Sequence, residues 1–267
     1  MTEKLLTFAH ISDTHLHIDP NYTDDLVNYP ALEPVQKLID FINNFGADID
    51  FILHTGDVMH LPGAAEEYAE IRKIFDTLNY PMHYIPGNHD KVSWLQSHFA
   101  GRKPEEITDN FDSEFEFNGV QFILIDSHTP EEVGSSVGVI SHEQLHWLEN
   151  LLTADDERPV VVAVHHHTLP LHAPWLDRIA MVNGEDLHAV LLKGKDRLRG
   201  VFSGHIHETL ITVRDGISYY TAQSGWYQTR TYFKQTEPAS DMLHNPGFNL
   251  VTLTEKDTFV RVIRIPL

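Results

Sequence analysis

The stretch VVAVHHHTLP, residues 161–170, joins an apolar run directly to three consecutive histidines. The valine-rich run is typical of a buried strand. Histidine has only an intermediate tendency to be buried, and adjacent imidazoles repel one another once they are protonated. The sequence therefore predicts a strand over 158–165 that delivers at least one imidazole to a functional site.

Strands and helices alternate along most of the chain around this stretch. Apolar runs bounded by turn residues predict the strands, and apolar residues at helical spacing predict the helices. The predicted elements are strands over 4–11, 49–56, 82–87 and 197–204 and helices over 33–46 and 65–78. Ser141 and Gln144 form a capping box that opens a further helix.

Tight turns mark the predicted hairpins. These are a hairpin over 114–126 around Asn118-Gly119, a pair of strands joined by Asp215-Gly216, and a hairpin over 248–265. Asn-Gly and Asp-Gly are the strongest short signals for such turns. Alternation combined with hairpins predicts an α/β fold, a single domain over 1–267 in which helices flank mixed sheets.

The composition limits the possible functions. The chain has 267 residues, a formal net charge of −20, no cysteine and 19 histidines. Disulfides and thiolate metal sites are excluded, and an acidic surface disfavours nucleic acid as a partner. We expect no signal peptide, no membrane span and no membrane partner, which favours a cytoplasmic protein. Histidine is the commonest metal-ligating side chain, so metal is the expected source of positive charge.

Five short polar motifs follow predicted strands. They are SDTH (12–15), TGD (55–57), PGNHD (86–90), VHHH (164–167) and SGHIH (203–207). In open α/β sheets, ligands bind beyond the carboxyl ends of the strands. We therefore expect these motifs to converge on one site although they are far apart in sequence.

The residue types in these motifs suit a binuclear metal centre. Carboxylate, imidazole and amide oxygen are ligands for Mn, Fe, Zn or Co. Seven candidate ligands are too many for one ion with an open position, and suit two ions roughly 3.5–4 Å apart that share a carboxylate. Two divalent ions, two aspartates and a hydroxide leave a single net positive charge, which matches a phosphodiester monoanion.

The ordered set DTH, GD, GNHD, HHH and GHIH resembles the calcineurin-like metallophosphoesterase superfamily over roughly residues 5–210. HISDTHL, YIPGNHD and HHHTLP are most similar to class III cyclic-nucleotide phosphodiesterases and related bacterial glycerophosphodiesterases. The resemblance implies a four-layer α/β/β/α sandwich of two mixed sheets flanked by helices. It also implies a binuclear-metal-dependent phosphodiesterase in which a metal-bridging hydroxide attacks phosphorus.

The resemblance also implies a role for each motif residue. The first metal is held by Asp13, His15 and His207, the second by Asn88, His165 and His205, and Asp57 bridges both. His89 is expected to contact the substrate phosphate and to protonate the leaving oxygen. Asp90 is expected to orient His89.

Several other histidines lie near the motifs. His166 is expected to point away from the site, because it follows His165 directly, whereas His167 could face the same cleft. His60 and His128 lie just past strand ends, and the sequence leaves substrate contact and surface exposure as alternatives for both.

Histidines outside the motifs are expected to have structural roles or none. His10 and His54 sit within predicted strands and are expected to be hydrogen-bonded in the core. His188 is expected on the solvated surface.

Departures from the resemblance bear on the substrate. GDVMHLPG and GNHDKV lack the arginine clamp with which Ser/Thr phosphatases hold a monoester, and AQSGWYQ replaces a Pro-Ser-Thr-type turn of cyclic-nucleotide phosphodiesterases. The expected substrate is a small organic phosphodiester, either a glycerophosphodiester or a 3′,5′-cyclic nucleotide. The alternatives are a phosphomonoesterase or nucleotide pyrophosphatase, and a non-catalytic metal-binding scaffold of the same fold.

Two long polar connections, 17–32 and 223–247, are expected to determine substrate choice. The second is expected to serve as a cap or as an oligomer contact. Relatives with this layout form dimers or larger rings, so the resemblance implies a homo-oligomer.

Overall fold

The computed structural model describes residues 3–24, 27–129, 136–241 and 245–266. The strands are β1 Lys4–Ile11, β2 Phe51–His54, β3 Met82–Tyr84, β4 Ser113–Phe117, β5 Val120–Ile125, β6 Val160–Val164, β7 Leu198–Ser203, β8 Ile211–Arg214, β9 Ile217–Thr221, β10 Gln228–Thr229, β11 Ser240–Asp241, β12 Gly247–Thr254 and β13 Thr258–Arg264. The α-helices are α1 Leu32–Asn43, α2 Ala65–Phe75, α3 Val92–Trp94, α4 His142–Thr153, α5 Pro174–Asp177 and α6 Gly184–Lys193.

The strands form two large mixed sheets, as expected. One has five strands in the order β13-β12-β1-β2-β3, and the other has six in the order β4-β5-β6-β7-β9-β8. The inner strands β1-β2-β3 and β5-β6-β7-β9 are parallel, while β12, β13, β4 and β8 pair antiparallel with their neighbours. The carboxyl ends of the parallel strands lie along one edge of each sheet.

Aromatic packing joins the two sheets. Phe8 of the first sheet stacks on Phe51 at 5.4 Å between ring centroids and meets Phe122 and Phe202 of the second sheet edge-on. All four side chains are fully buried. The outer faces of the sheets are covered by helices, α1 and α2 on the first sheet and α4 and α6 on the second. The four-layer α/β/β/α sandwich is therefore confirmed.

The turn and cap signals of the sequence are confirmed. Asn118 and Gly119 both have positive φ, 46° and 76°, between β4 and β5. Ser141 Oγ accepts from Gln144 N at 3.1 Å, and Ser141 N donates to Gln144 Oε1 at 2.9 Å. In contrast, α6 was not predicted from the sequence, although Leu187 and Leu191 face the core at helical spacing.

The two long connections are tied together. Trp226, in the second connection, is fully buried and donates from Nε1 to the Tyr29 carbonyl at 3.0 Å. The second connection contains β10 and β11, which pair with each other. Within the described ranges, no helix has the length and apolar content to cross a membrane.

The core histidines behave in two ways. His10 and His54 are buried and hydrogen-bonded, as expected, to Thr55 Oγ1 at 3.0 Å and Thr14 Oγ1 at 3.1 Å respectively. The surface expectation for His188 is wrong, since its side chain is buried. Tyr219 Oη lies 2.6 Å from its Nδ1, and Asp215 Oδ2 lies 3.0 Å from its Nε2.

Candidate metal centre

The five motifs meet beyond the carboxyl ends of strands from both sheets. β1 ends before Asp13 and His15, β2 before Asp57, β3 before Asn88 and His89, β6 before His165, and β7 before His205 and His207. The backbone ties these segments together, since Asp13 N donates to the Gly56 carbonyl at 2.9 Å and His15 N to the Asp57 carbonyl at 3.0 Å. The fold thus brings all seven expected ligands to one place.

The backbone at this place is strained. Positive φ values between 44° and 71° occur at Asp13, His15, Asp57, His205 and His207. A positive φ is uncommon for residues other than glycine, and such residues cluster at functional sites, where the surrounding structure enforces them. At these five of the seven candidate ligands, the backbone turns away from the direction of the preceding strand.

Glycines let the strand ends approach one another. A Cβ at Gly56 would lie 2.5 Å from His165 Nδ1, and a Cβ at Gly87 would collide with Asp57 Oδ1. A Cβ at Gly204 would collide with Ser12 Oγ, next to Asp13. Glycine is therefore required at these three positions, because the neighbouring segments lie too close to leave room for a Cβ atom.

A first group of ligand atoms surrounds one point. His15 Nε2 lies 3.0 Å from His207 Nε2, and His207 Nε2 lies 3.4 Å from Asp13 Oδ1. His15 Nε2 also lies 3.6 Å from Asp57 Oδ2. Ligand atoms of Asp13, His15 and His207 all lie within 4.8 Å of one another.

A second group shares the same aspartate. His165 Nε2 lies 3.3 Å from Asp57 Oδ2 and 3.2 Å from Asn88 Oδ1. The Asp57 Oδ2 atom therefore faces an imidazole of each group. The other oxygen, Asp57 Oδ1, accepts from His89 N at 2.8 Å, which fixes the carboxylate between the groups.

Three of the four imidazoles among the expected ligands are held from behind. His165 Nδ1 donates to the Thr55 carbonyl at 2.6 Å, His205 Nε2 to the Ile179 carbonyl at 2.9 Å, and His207 Nδ1 to the Tyr227 carbonyl at 3.1 Å. Metal-ligating histidines almost always donate their second nitrogen in this way, which fixes the tautomer and the ring orientation. The other nitrogen of each ring is therefore the one that could bind a metal.

The buried charge calls for cations. Asp13 and Asp57 are 0% and 2% exposed. Among the described residues, their ion-pair partners are the imidazoles of His15, His165 and His207, with no lysine or arginine. Burying a carboxylate without a positive partner is costly. The donor set fits metal ions at this place.

The pKa shifts agree with this charge balance. Burial disfavours the charged form of His165, but the nearby Asp57 carboxylate outweighs burial and raises the pKa of His165 to about 9. Burial holds the pKa values of His15 and His205 well below the usual range of histidine. Those two rings stay neutral, which is the form that binds metal.

His89 lies beside the two groups at the cavity wall, but Asp90 does not orient it. His89 Nδ1 donates to the His60 carbonyl at 2.6 Å. The Asp90 carboxylate instead accepts from the backbone N–H groups of Val58, Met59 and Gly87 at 3.0–3.2 Å. The expectation that Asp90 orients His89 is therefore wrong, because Asp90 is used to hold the loops after β2 and β3 together.

The three histidines considered as substrate contacts lie in different places. His60 lines the cavity above the metal groups, and its Nε2 lies 3.5 Å from Asp24 Oδ2. His128 lines a different cavity, beside Asn88. His167 is buried, and its ring lies 5.8 Å from that of His205 without reaching either cavity. Of these three, the structure brings only His60 to the cavity over the metal groups.

The cavity has a volume of about 350 Å³, and part of its wall is apolar. Trp175, Ile179 and Pro238 contribute to this wall, together with Tyr227 of the second long connection. Trp175, Ile179 and Pro238 were not predicted as functional residues, because nothing in their spacing marks a cavity wall. The shape suits a small organic molecule.

Residues 6–209 match the sequence model of the calcineurin-like phosphoesterase family. The chain belongs to the calcineurin-like phosphoesterase family. The family uses a dinuclear metal centre, and the histidine and aspartate groups described above could hold its ions.

The chain is similar over most or all of its length to three phosphodiesterases. A 3′,5′-cyclic-nucleotide phosphodiesterase from Nostoc sp. is 26% identical over 100% of this chain and 95% of its own. Glycerophosphodiester phosphodiesterase GpdQ from Enterobacter lignolyticus is 26% identical over 89% of this chain and 84% of its own. The cAMP phosphodiesterase CpdA from Escherichia coli K12 is 30% identical over 78% of this chain and 72% of its own.

A solved structure shows the same fold. The dimetal phosphatase from Danio rerio superposes with a TM-score of 0.65 over 99% of this chain and 100% of its own, at 14% identity. At that identity the likeness concerns the calcineurin-like fold alone.

Proposed function

We propose that the chain is a binuclear-metal-dependent phosphodiesterase that hydrolyses small organic diesters, either glycerophosphodiesters or 3′,5′-cyclic nucleotides. The observation that carries the proposal is the position of Asp57 Oδ2, 3.6 Å from His15 Nε2 of one ligand group and 3.3 Å from His165 Nε2 of the other. The names of the relatives support the same substrate class.

The proposed ligands are those expected from the sequence. The first ion would be held by Asp13, His15 and His207, the second by Asn88, His165 and His205, and Asp57 would bridge them. Ligands of these types suit Mn, Fe, Zn or Co. When bound, two such ions generate a nucleophile from water at neutral pH and offset the charge that develops on the phosphoryl oxygens.

His89 is the proposed proton donor to the leaving oxygen. Its Nδ1 donates to the His60 carbonyl, so Nε2 is the nitrogen left for the substrate. Its backbone N–H donates to Asp57 Oδ1 at 2.8 Å, which fixes the ring beside the bridging carboxylate. His60, which also lines the cavity, is a proposed substrate contact.

The charge of the cavity favours a diester over a monoester. No lysine or arginine is among the described residues that line it, and Asp24 lies on its wall. A phosphate monoester carries more negative charge than a diester and is commonly clamped by arginine. The monoesterase alternative therefore has less support here.

The second long connection is a proposed cap. Tyr227, Thr229 and Ser240 of this connection line the cavity, and Trp226 anchors it to the first connection. The cap would exclude water and shape the substrate site. A homo-oligomer, which rests on the resemblance of the sequence motifs, is a further proposal. The cytoplasmic location expected from the sequence is another.

Hydrolysis of bis(p-nitrophenyl) phosphate and p-nitrophenyl phosphate tests the proposal. We expect metal-stripped protein to be inactive, and protein reloaded with Mn²⁺ to hydrolyse the diester with at least about a tenfold higher kcat/KM than the monoester, equivalent to ~1.4 kcal/mol of barrier. Preference for the monoester would favour the phosphatase alternative. Inactivity on both substrates with metal bound would favour the non-catalytic scaffold.

A further inference from the structure

His166 does not point away from the metal groups. Its ring centroid lies 4.9 Å from that of His165 and 4.6 Å from that of His205. Nitrogen atoms of these three rings lie within 4.8 Å of one another, close enough to hold one ion together. Two of the three rings already belong to the proposed second metal site.

The local backbone explains this position. β6 ends at Val164, so the alternation of side chains along an extended strand stops before the histidine triplet. Gly138 then leaves room for the ring, since a Cβ at that position would lie 2.5 Å from His166 Nδ1. His165 and His166 can therefore face the same side although they are adjacent in sequence.

His166 is held from behind in the same way as the proposed ligands. Its Nδ1 lies 2.8 Å from Ser127 Oγ, which corresponds to the Thr55 carbonyl behind His165 and the Ile179 carbonyl behind His205. A hydroxyl oxygen has two lone pairs and can accept this N–H. Nε2 is then the nitrogen of His166 that could bind a metal.

The Nε2 atom of His166 is buried and, in the part of the chain that the structure describes, has no hydrogen-bond partner. A buried polar atom left unsatisfied costs about 1–3 kcal/mol, so such atoms are rare and call for an explanation. A metal ion shared with His165 and His205 would satisfy it. Packing alone does not explain a histidine at this position, because an apolar ring would fill the same space without the cost of an unsatisfied nitrogen.

We propose that His166 Nε2 is an additional ligand of the second metal ion, beside Asn88, His165 and His205. This inference rests on the two-metal function proposed above. It makes the second site richer in nitrogen than the first, with three imidazoles against two. Imidazole suits Zn, Co and Fe, whereas Mn is better matched by oxygen ligands. Co²⁺ is therefore a suitable probe of the second site.

Titration of metal-stripped protein with Co²⁺, followed by calorimetry and by the visible absorption of the bound ion, tests this role without an activity assay. We expect two ions per wild-type chain. In His166→Asn the first ion should bind as in wild type, and the second at least about tenfold more weakly, since even the residues behind a ligand are worth 10–100-fold in affinity. The absorption of the second ion should also change.

His167→Asn is the matched control. His167 is the next residue, it is also buried, and its ring nitrogens likewise have no hydrogen-bond partner among the described residues, but it belongs to none of the ligand groups. It should bind both ions as wild type does. Should His166→Asn fail to fold, Ser127→Ala carries the test, with an expected loss of about tenfold at the second site only.

The outcomes separate the two proposals. Wild-type affinity and absorption of the second ion in His166→Asn, or in Ser127→Ala if that variant has to be used, would overturn the role of His166 and leave the two-metal function intact. Fewer than two ions in the wild-type chain would contradict the two-metal function itself, and with it this inference.

Discussion

Asp57→Asn should lower kcat for diester hydrolysis by at least about 10³-fold, which corresponds to ~4 kcal/mol of barrier. The substitution removes the negative charge that faces His15 and His165 at 3.6 Å and 3.3 Å, so both proposed ions lose a shared ligand. The amide oxygen of asparagine can still accept from His89 N, and asparagine tolerates the positive φ of 55° at this position. The fold should survive, and bound metal should fall below two ions per chain.

Asp50→Asn is the control for this prediction. Asp50 precedes the same strand, β2, at its other end, and its Oδ2 accepts one backbone N–H, from Thr7 at 2.7 Å. We expect this variant to keep wild-type activity and metal content. Steady-state kinetics and elemental analysis of the two purified variants check the pair. Near-wild-type turnover by Asp57→Asn would contradict the bridging role.

His89→Asn should show a dependence on the leaving group. A general acid contributes about 10²–10⁴-fold to rate, and only where the departing oxygen needs a proton. We therefore expect kcat/KM for a glycerophosphodiester or a 3′,5′-cyclic nucleotide, whichever is the substrate, to fall by about 10²-fold or more. For bis(p-nitrophenyl) phosphate, whose nitrophenolate leaves readily as an anion, the fall should be less than about tenfold.

The comparison of the two substrates distinguishes acid catalysis from binding. An equal loss on both would mean that His89 contacts the phosphate without donating a proton. His98→Asn serves as the control, because His98 contacts Trp94 at 6.4 Å between ring centroids and lies outside the cavity. It should leave both rates unchanged.

The strands and the order of the motifs were predictable from local sequence. Apolar runs mark β1, β2 and β6, and aspartate or histidine follows each of them at the point where a parallel sheet binds ligands. The meeting of Asp13 with His207 depends on the order of strands in the sheets. The resemblance to a family supplied the grouping of these ligands, whereas composition and periodicity alone would not.

Positions set by contacts between distant segments were not predictable. His166 was expected to point away because a strand pattern was extended past Val164, where the strand ends. Asp90 was assigned to its neighbour in sequence, but its carboxylate bonds to the loop after β2. His188 was placed on the surface, and its partner Tyr219 lies 31 residues away. In each case the deciding contact is made in three dimensions.

Anomalous diffraction from a crystal of the protein grown with Mn²⁺ tests the central claim most directly. We expect two peaks roughly 3.5–4 Å apart, as in other two-metal sites. One should lie among Asp13, His15 and His207, the other among Asn88, His165 and His205, with Asp57 Oδ2 between them. A single peak, or two peaks that do not share Asp57, would contradict the two-metal centre.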